Sequence, residues 1–237
     1  MTHIDISKPI LDKNERLARA NRSLLRKKGI FVLDVMASPG AGKTTAILAT
    51  IEALKSRYRI AVIEGDIASN VDALKIRAAG VPAVQINTGG ICHLESDMIH
   101  HALDQLPLDD LDLIIIENVG NLVCTTEFYL GEDAKVMILS VPEGDDKPLK
   151  YPGIFQTAQA VILSKTDTLP VFDFDLPAFE TTLQSLNPKA PIFPLSAKTG
   201  EGVGDWINWL AERVEYTRCR KSASICEQEM RAENYRW

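Results

Sequence analysis

The sequence predicts an α/β fold with a mainly parallel sheet and helices on both of its faces. Three observations support this prediction. Seven short apolar segments have the length and composition of buried strands. Segments of helical periodicity lie between several of them, and glycine or proline ends these segments. The chain has 237 residues, of which 46% are hydrophobic, enough for one such domain with short extensions.

The predicted elements follow one another along the chain. The predicted strands cover residues 30–36, 59–64, 83–87, 113–116, 136–141, 160–163 and 192–195. The predicted helices between and after them cover residues 70–79, 94–106 and 203–215. We expect a helical extension at 1–28, one α/β domain that carries the functional sites at 29–216, and a polar tail at 217–237, where the apolar periodicity is lost.

Composition narrows the class of protein. A net charge of −6 is unfavourable for binding nucleic acid through a basic face, so we expect no nucleic-acid partner. No run approaches the ~18 apolar residues of a membrane span, so we expect no membrane partner, and we find no secretory signal. Four cysteines are too few for a disulfide framework at this length, which predicts a reducing, cytoplasmic environment.

The segment 37–44 reads Ala-Ser-Pro-Gly-Ala-Gly-Lys-Thr and lies between an apolar strand and a helix. This is the pattern of a phosphate-binding loop (P-loop), in which backbone N–H groups bind phosphate oxygens. Gly40 and Gly42 let the backbone approach the phosphates, and the helix adds its positive dipole end. We expect Lys43 to reach the β- and γ-phosphates and Thr44 to bind Mg²⁺. The predicted phosphate-binding residues are Ser38, Pro39, Gly40, Ala41, Gly42, Lys43, Thr44 and Thr45.

Two carboxylates are candidates to complete the Mg²⁺ site. Glu117 ends the most apolar predicted strand, and Asp66 follows the second strand. Mg²⁺ is usually held by one or two carboxylates together with phosphate oxygens. The alternative for each is a capping or surface acid. We predict that Lys43, Asp66 and Glu117 form the catalytic set, and Asp66 is also a candidate to orient the attacking water.

Two later segments predict that the base is guanine. Residues 164–167 read Ser-Lys-Thr-Asp at the end of a strand, and 196–198 read Ser-Ala-Lys after the last strand. A carboxylate at Asp167 can accept hydrogen bonds from guanine N1 and N2, a donor pair that adenine lacks. The predicted base contacts are Lys165, Asp167, Ser196, Ala197 and Lys198, with a backbone N–H of 196–198 reaching guanine O6. The alternative is two unrelated solvent loops.

Thiols and an imidazole suggest a second site. Cys92 and His93 follow a Gly-Gly loop, and Cys124 lies seven residues after Glu117. Both segments follow strands of one sheet, at the carboxyl ends where ligands bind in such folds. Two thiolates and an imidazole suit Zn²⁺ or Ni²⁺, with a fourth ligand from water, another side chain or a second subunit. Spacing alone leaves open that the cysteines are small buried residues and His93 a helix cap.

The other cysteines and histidines offer weaker signals. Cys219 and Cys226 lie in the predicted tail, and we interpret them as incidental. His100 and His101 are adjacent on a predicted helix and cannot share a face, so we expect structural or solvent-exposed roles.

Several segments resemble those of the HypB family, the GTPases of hydrogenase nickel incorporation. The resemblance runs from about residue 30 to residue 212. The matching segments are Glu64-Gly65-Asp66-Ile67-Ala68, Thr88-Gly89-Gly90-Ile91-Cys92-His93-Leu94, residues 117–124 (Glu-Asn-Val-Gly-Asn-Leu-Val-Cys), residues 143–152 (Glu-Gly-Asp-Asp-Lys-Pro-Leu-Lys-Tyr-Pro) and Ser196-Ala197-Lys198-Thr199-Gly200-Glu201-Gly202.

The resemblance implies a P-loop NTPase fold of the SIMIBI type and a GTPase that turns GTP into GDP slowly. It implies a nucleotide-dependent homodimer that passes nickel to the hydrogenase large subunit together with a HypA-type nickel chaperone. In the family, residues equivalent to Cys92, His93 and Cys124 bind zinc or nickel at the dimer interface. Lys147 lies in a segment that resembles a loop near the nucleotide and the dimer contact.

The chain departs from the family pattern at three positions. Ala37 stands where glycine is usual, Ser164 where asparagine is usual, and Thr125 where proline is usual. We expect weaker base affinity from the shorter reach of Ser164 and a less rigid metal loop from Thr125. The Cys-rich and His-rich N-terminal motifs of some members are absent, so we do not expect high-affinity nickel storage.

Glu117 and Cys124 share one predicted loop, which suggests a switch. Ordering of this loop by γ-phosphate and Mg²⁺ would move Cys124 relative to Cys92 and His93. Metal affinity would then depend on which nucleotide is bound, and nucleotide affinity would depend on whether metal is bound. Two alternatives stay open. A urease-type nickel GTPase has a residue between Cys and His, whereas Cys92 and His93 are adjacent. A metal-binding scaffold without GTPase activity is the second alternative.

Overall fold

The computed structural model describes residues 7–66 and 71–233. Within these ranges, strands and helices alternate along the chain. The strands are β1 (Phe31–Ala37), β2 (Ile60–Asp66), β3 (Ala83–Asn87), β4 (Leu113–Glu117), β5 (Ala134–Ser140), β6 (Ala160–Ser164) and β7 (Ile192–Pro194). The α-helices are α1 (Ser7–Lys28), α2 (Lys43–Leu54), α3 (Val71–Ala78), α4 (Ser96–Leu103), α5 (Lys147–Lys150), α6 (Pro152–Thr157), α7 (Leu176–Leu186) and α8 (Val203–Glu233).

The seven strands form one parallel sheet in the order β3-β2-β4-β1-β5-β6-β7. All seven predicted strands are confirmed, with ends that differ by no more than a few residues. The central strand, β1, pairs with β4 on one side and β5 on the other. Because all strands run in one direction, their carboxyl ends lie at one edge of the sheet, together with the loops that follow β1, β3, β4, β5, β6 and β7.

Helices cover both faces of the sheet, as the alternation of elements predicts. Side chains of β1 alternate between the two layers. Leu33 and Val35 contact the apolar cluster that includes residues of α2 and α8. Val32 belongs to the cluster beneath α4, and Met36 to the cluster beneath α6 and α7. The central strand is therefore buried on both faces, which explains its almost continuous apolar sequence.

Helix α1 lies against the domain through two buried asparagines. The Ser96 backbone N–H, at the start of α4, donates to Asn14 Oδ1 (2.7 Å). The Asn21 side chain donates to the Ser96 carbonyl (2.9 Å). Asn14 thus caps a helix that lacks a side-chain cap of its own. The helix predicted in the extension is present, and its polar residues hold it on α4.

Helix α8 differs from the prediction. The predicted helix ends at Glu215 and is followed by a predicted polar tail from 217, whereas the helix in the structure continues to Glu233. Contacts distant in the chain hold the first part of the continuation, because Arg218 pairs with Asp112 (3.3 Å) and the methylene groups of Lys221 lie against Gly29. Loss of apolar periodicity therefore did not mean loss of the helix. No described helix is both long enough and apolar enough to span a membrane.

Candidate nucleotide and metal site

The P-loop lies directly between β1 and α2. Gly40 and Gly42 have φ angles of 78° and 95°, which only glycine adopts without strain. Gly42 is the N-cap of α2, so the helix begins at Lys43 with its first N–H groups facing the loop. Lys43 Nζ donates to the Ser38 carbonyl (3.4 Å). The loop thus folds back on itself at the N-terminus of α2, where backbone N–H groups are available to an anion.

Residues of the predicted base motif contact the P-loop. The Ser164 hydroxyl donates to the Ala41 carbonyl (2.6 Å), and Lys165 Nζ donates to the Gly40 carbonyl (2.7 Å). Ser164 therefore anchors the P-loop. The sequence predicted only a weaker contact with the base, because serine is shorter than asparagine, and did not predict this anchoring role. On the other side, the Ser38 hydroxyl is hydrogen-bonded to Glu143, which caps the turn after β5.

Thr44 and Glu117 lie together as predicted. The Thr44 hydroxyl donates to Glu117 Oε1 (2.8 Å), and Glu117 is 4% exposed. A hydroxyl and a buried carboxylate held this close are the hard oxygen donors that Mg²⁺ prefers. Asp66 is the last residue of β2, beside β4, so it stands at the same edge. Glu64, which the sequence analysis missed, is buried in register with Glu117.

The base motif forms a second polar cluster at this edge. The Ser196 hydroxyl donates to Asp167 Oδ1 (2.7 Å), and Lys198 Nζ lies 3.9 Å from Asp167 Oδ2. The two predicted segments, 164–167 and 196–198, are therefore adjacent and are not two unrelated loops. Lys165 has a φ of 58°, the one positive φ at a non-glycine among the described residues. Such strain commonly marks a functional turn. Ala197 follows Ser196 with its side chain half-buried.

The three predicted metal ligands are also brought together. Cys92 Sγ lies 3.1 Å from Cys124 Sγ and 3.9 Å from His93 Nδ1. One ligand atom from each of the three residues lies within 4.8 Å of the other two. This geometry favours the ligand interpretation over that of two incidental buried cysteines. Cys219 is an exposed free thiol, and the side chain of Cys226 lies outside the described residues.

Neighbouring groups orient this cluster. The His93 ring stacks on Phe128, with centroids 3.8 Å apart and an interplanar angle of 17°. Asn121 Oδ1 accepts a hydrogen bond from the backbone N–H of Cys124 (3.0 Å). The hydrogen bond to Cys92 and burial raise the pKa of the Cys124 thiol. A bound cation would replace the shared proton, since thiols bind metals as thiolates.

A buried ion-pair network lies beneath the loop that carries Cys124. Lys135 Nζ lies 3.4 Å from Asp34 Oδ2 and 3.7 Å from Glu132 Oε1. The Asn118 side chain donates to Asp34 Oδ1 (3.0 Å). Burial raises the pKa of Asp34, and the charge of Lys135 opposes that shift. The sequence carries a signal for this network, because single charged residues interrupt two apolar strands and are in register.

The same lysine holds the backbone of the loop. Lys135 Nζ donates to the carbonyls of Thr125 (3.2 Å) and Phe128 (3.0 Å). The Thr125 hydroxyl also donates to the Asn121 carbonyl (2.9 Å). Threonine in place of proline therefore adds one anchor of its own, the hydroxyl contact to Asn121, whereas the carbonyl that accepts from Lys135 belongs to the backbone. These contacts hold two parts of the loop against the central strands: the backbone next to Cys124, and Phe128, whose ring stacks on His93.

The loop that follows Glu117 also passes against the P-loop. A Cβ added at Gly120 would stand 3.0 Å from Pro39 N and Pro39 Cγ. Only a glycine lets the two backbones lie so close. The chain between Glu117 and Cys124 therefore contacts the phosphate loop on its way to the thiol cluster.

The two histidines of α4 have structural or exposed positions, as predicted. His100 Nδ1 lies 2.9 Å from Asn21 Oδ1, within the α1–α4 contact. The His101 side chain is 72% exposed, and its Nδ1 lies 2.8 Å from the Asp97 carbonyl. Neither residue belongs to the thiol cluster.

The fold and these loops define a P-loop nucleotide-binding protein with an adjoining thiol–imidazole cluster suited to a metal ion. The model of the CobW/HypB/UreG nucleotide-binding domain matches residues 31–194. Hydrogenase maturation factor HypB from Azotobacter vinelandii is 49% identical over 229 residues, which cover 96% of this chain and 75% of that protein. HypB from Escherichia coli K12 is 47% identical over 216 residues, 91% of this chain and 73% of that protein.

Two solved structures are similar over most of their length. HypB from Helicobacter pylori in complex with nickel has a TM-score of 0.82 and 44% identity, covering 86% of this chain and 96% of that one. HypB from Archaeoglobus fulgidus has a TM-score of 0.81 and 37% identity, and the match covers 86% of this chain and 99% of that one. The chain belongs to the CobW/HypB/UreG family and, within it, to the HypB hydrogenase maturation factors.

Proposed function

We propose that this chain is a GTP-hydrolysing metallochaperone that carries nickel during [NiFe]-hydrogenase maturation. Its metal affinity depends on whether GTP or GDP is bound. Nickel, or zinc in competition with it, binds Cys92, His93 and Cys124. The observation that carries the proposal is the close meeting of these three ligand atoms at the end of the loop that starts at Glu117.

The nucleotide part of the proposal rests on the P-loop and on the cluster around Asp167. Backbone N–H groups of the P-loop and Lys43 hold the phosphates, and Thr44 and Glu117 hold Mg²⁺. Mg²⁺ supplies charge stabilisation to the phosphoryl group during transfer to water. Asp66 either helps to coordinate Mg²⁺ or orients the water molecule that attacks the γ-phosphate. Asp167 and Ser196 select guanine, and Lys165 lies along the base.

The metal part of the proposal rests on the chemistry of the three ligand atoms and on the solved structure of a related protein. Two thiolates and one imidazole suit Ni²⁺ and Zn²⁺ better than they suit Mg²⁺. The H. pylori HypB structure was obtained in complex with nickel, and 44% of residues are identical to this chain. Free thiols need a reducing compartment, so the proposal includes the cytoplasm.

Coupling between the two sites follows from one continuous segment. Glu117 contacts the Mg²⁺-binding hydroxyl of Thr44, Gly120 lies against Pro39, and Cys124 ends the segment at the thiol cluster. A γ-phosphate and Mg²⁺ would fix the start of this segment and so change the position of its end. Linkage requires that metal, in turn, change nucleotide affinity by the same factor.

The proposal also includes partners. A second copy of the chain in the GTP-bound dimer supplies a fourth metal ligand, and a HypA-type chaperone and the hydrogenase large subunit give and receive nickel. Slow intrinsic hydrolysis fits a switch whose turnover depends on a partner.

The test measures nickel and zinc dissociation constants by chelator competition under reducing conditions, with GDP and with a non-hydrolysable GTP analogue. We expect at least about a fivefold difference between the two nucleotide states, the lower range of typical coupling energies. Equal metal affinities in the two nucleotide states would contradict the proposed coupling between the sites. No phosphate release from GTP, even with Mg²⁺, metal and partner, would favour the scaffold alternative.

A further inference from the structure

A cationic cleft lies at the edge of the sheet opposite the nucleotide loops. It has a volume of about 840 Å³ and is lined by α1 and by α8 from Arg213 onward. Phe31, the first residue of β1, and Asp133, just before β5, also line it. The P-loop follows the last residue of β1, so cleft and nucleotide site stand at opposite ends of the same strand.

Both helices contribute positive charge to this cleft. From α1 come Arg19, Arg22, Arg26 and Lys27. From α8 come Arg213, Arg220 and Lys221. The one carboxylate in the lining is Asp133, which pairs with Arg22 (3.3 Å) and Arg26 (3.6 Å). Among the lining residues, seven cationic side chains thus share one acid, and Arg19 also pairs with Glu15 outside the lining (2.6 Å).

Arg213 is held against the side of the cleft by an aromatic ring and a backbone carbonyl. Its guanidinium lies 3.6 Å from the centre of the Trp209 ring and donates to the Trp209 carbonyl (2.9 Å). Burial lowers the pKa of Arg213, and the only group that opposes the shift is the neighbouring Glu212. An anion in the cleft would add an ion pair to the ring face and the carbonyl that this cation already contacts.

We propose that this cleft binds a carboxylate-rich peptide segment of a partner protein. Arg19, Arg22 and Arg26 follow the spacing of successive helical turns, and Arg213 and Arg220, seven residues apart, lie two turns apart on α8. Each row therefore spans about 10 Å, which suits a peptide with several carboxylates better than one compact anion. Five of the seven cations are arginines, whose planar guanidinium binds carboxylate with two hydrogen bonds.

Charge elsewhere on the chain favours a short peptide over nucleic acid. The whole chain has a net charge of −6 although this cleft is strongly positive, so the rest of the molecule is more negative still. A long polyanion would extend over that negative surface and be repelled, whereas a short acidic segment meets the local field of the cleft. Tyr216, 65% exposed beside the cationic row of α8, offers an apolar contact to the peptide chain.

The test uses the full chain and a fluorescent peptide of consecutive glutamates, followed by fluorescence anisotropy. A glutamine peptide and a thymidine oligonucleotide of equal length are the comparison probes. The test variant is R19Q/R220Q, which removes one exposed cation from each helix. The control is K13Q/R16Q, which makes the same charge change at exposed α1 positions outside the cleft lining. Melting temperatures verify that both variants fold.

We expect saturable binding of the glutamate peptide that weakens at least about tenfold in R19Q/R220Q and less than about twofold in K13Q/R16Q. Binding should also weaken as salt rises and should be the same with GDP and without nucleotide, because the P-loop is at the other end of β1. Absence of saturable peptide binding, equal losses in the two variants, or tighter binding of the oligonucleotide would each overturn the proposal. None of these results bears on GTP hydrolysis or nickel binding.

Discussion

Lys135 Nζ lies 3.2 Å from the carbonyl oxygen of Thr125, the residue next to Cys124, and 3.4 Å from the buried carboxylate of Asp34 on the central strand. One side chain thus joins the strand that leads to the P-loop with the loop that carries a metal ligand. Burying a charged lysine is costly, and the carboxylates of Asp34 and Glu132 offset that cost.

K135M should lower the free energy of unfolding by about 3–5 kcal/mol, because it leaves two buried carboxylates without their cation. Burial already raises the pKa of Asp34, so protonation there relieves the damage. The native variant then binds more protons than the unfolded chain, so its stability should rise as pH falls from neutral. Urea unfolding at several pH values measures both effects.

The double variant D34N/K135M is the control. It removes a buried charge of each sign, so it should lose less stability than K135M alone. A K135M protein as stable as the parent at pH 7, or one whose deficit grows on acidification, would contradict the network described above.

Thr44 and Glu117 provide a prediction about Mg²⁺. E117Q and T44A should each slow GTP hydrolysis at least about 100-fold, because each removes an oxygen donor proposed to hold the ion. GDP affinity in EDTA should change little, since the P-loop backbone is untouched. Phosphate release at saturating GTP over a range of Mg²⁺ measures this. K55Q, an exposed change directly after the helix that carries Thr44, is the control and should behave as the parent.

The cysteine cluster gives a prediction with a matched control. C124S and C92S should each weaken nickel binding by about 100-fold or more, because serine is a poor ligand for a soft site. C219S removes an exposed cysteine outside the cluster and should bind nickel as the parent does. Chelator competition under reducing conditions measures the three affinities. Equal loss in C219S and C124S would exclude the cluster as the nickel site.

The sequence predicted the strands and the loop residues well because both follow local rules. A strand buried on both faces must be apolar, and a P-loop needs glycine where φ is positive, as at Gly40 and Gly42. The meeting of Cys92 and Cys124 was also predictable, since both follow strands of one parallel sheet. Their distance of 3.1 Å was not, because it depends on how the loops pack.

The sequence predicted long-range polar contacts poorly. The continuation of α8 past Glu215 depends on partners distant in the chain, such as Asp112 for Arg218, and leaves no apolar periodicity. Likewise, Asp34 and Lys135 read as isolated charges until the strand register places them side by side. A charged residue inside an apolar strand is the sequence signal for this network. Pairing each such residue with a charged residue on a neighbouring strand would have identified it.

Asp167 gives a prediction about the base. D167N should weaken GTP binding about 100-fold, because the amide replaces the carboxylate that accepts from guanine N1 and N2. The same variant should gain affinity for xanthosine triphosphate, whose 2-carbonyl accepts from an asparagine amide. Competition of GTP, ATP and xanthosine triphosphate against a fluorescent GDP analogue measures the order. A parent protein that prefers ATP would overturn the assignment of guanine.

The close approach of Gly120 to Pro39 predicts how the two sites communicate. G120A places a Cβ 3.0 Å from Pro39 N, so either the P-loop or the metal loop must shift. We expect GDP affinity to fall about fivefold, equivalent to about 1 kcal/mol of overpacking, and the nucleotide dependence of nickel affinity to shrink with it. Parallel titrations of GDP and of nickel measure the two changes.

G153A is the matched control, because an added Cβ at Gly153 meets no atom within 4 Å and the φ there is not positive. Its nucleotide and nickel affinities should equal those of the parent. If G120A weakened GDP binding but left the nucleotide dependence of nickel affinity intact, coupling would have to pass through another route, and the Lys135 contacts to Thr125 and Phe128 offer one. If G120A changed neither affinity, the loop after Glu117 would have room to move without disturbing the phosphates, and the contact with Pro39 would carry no coupling.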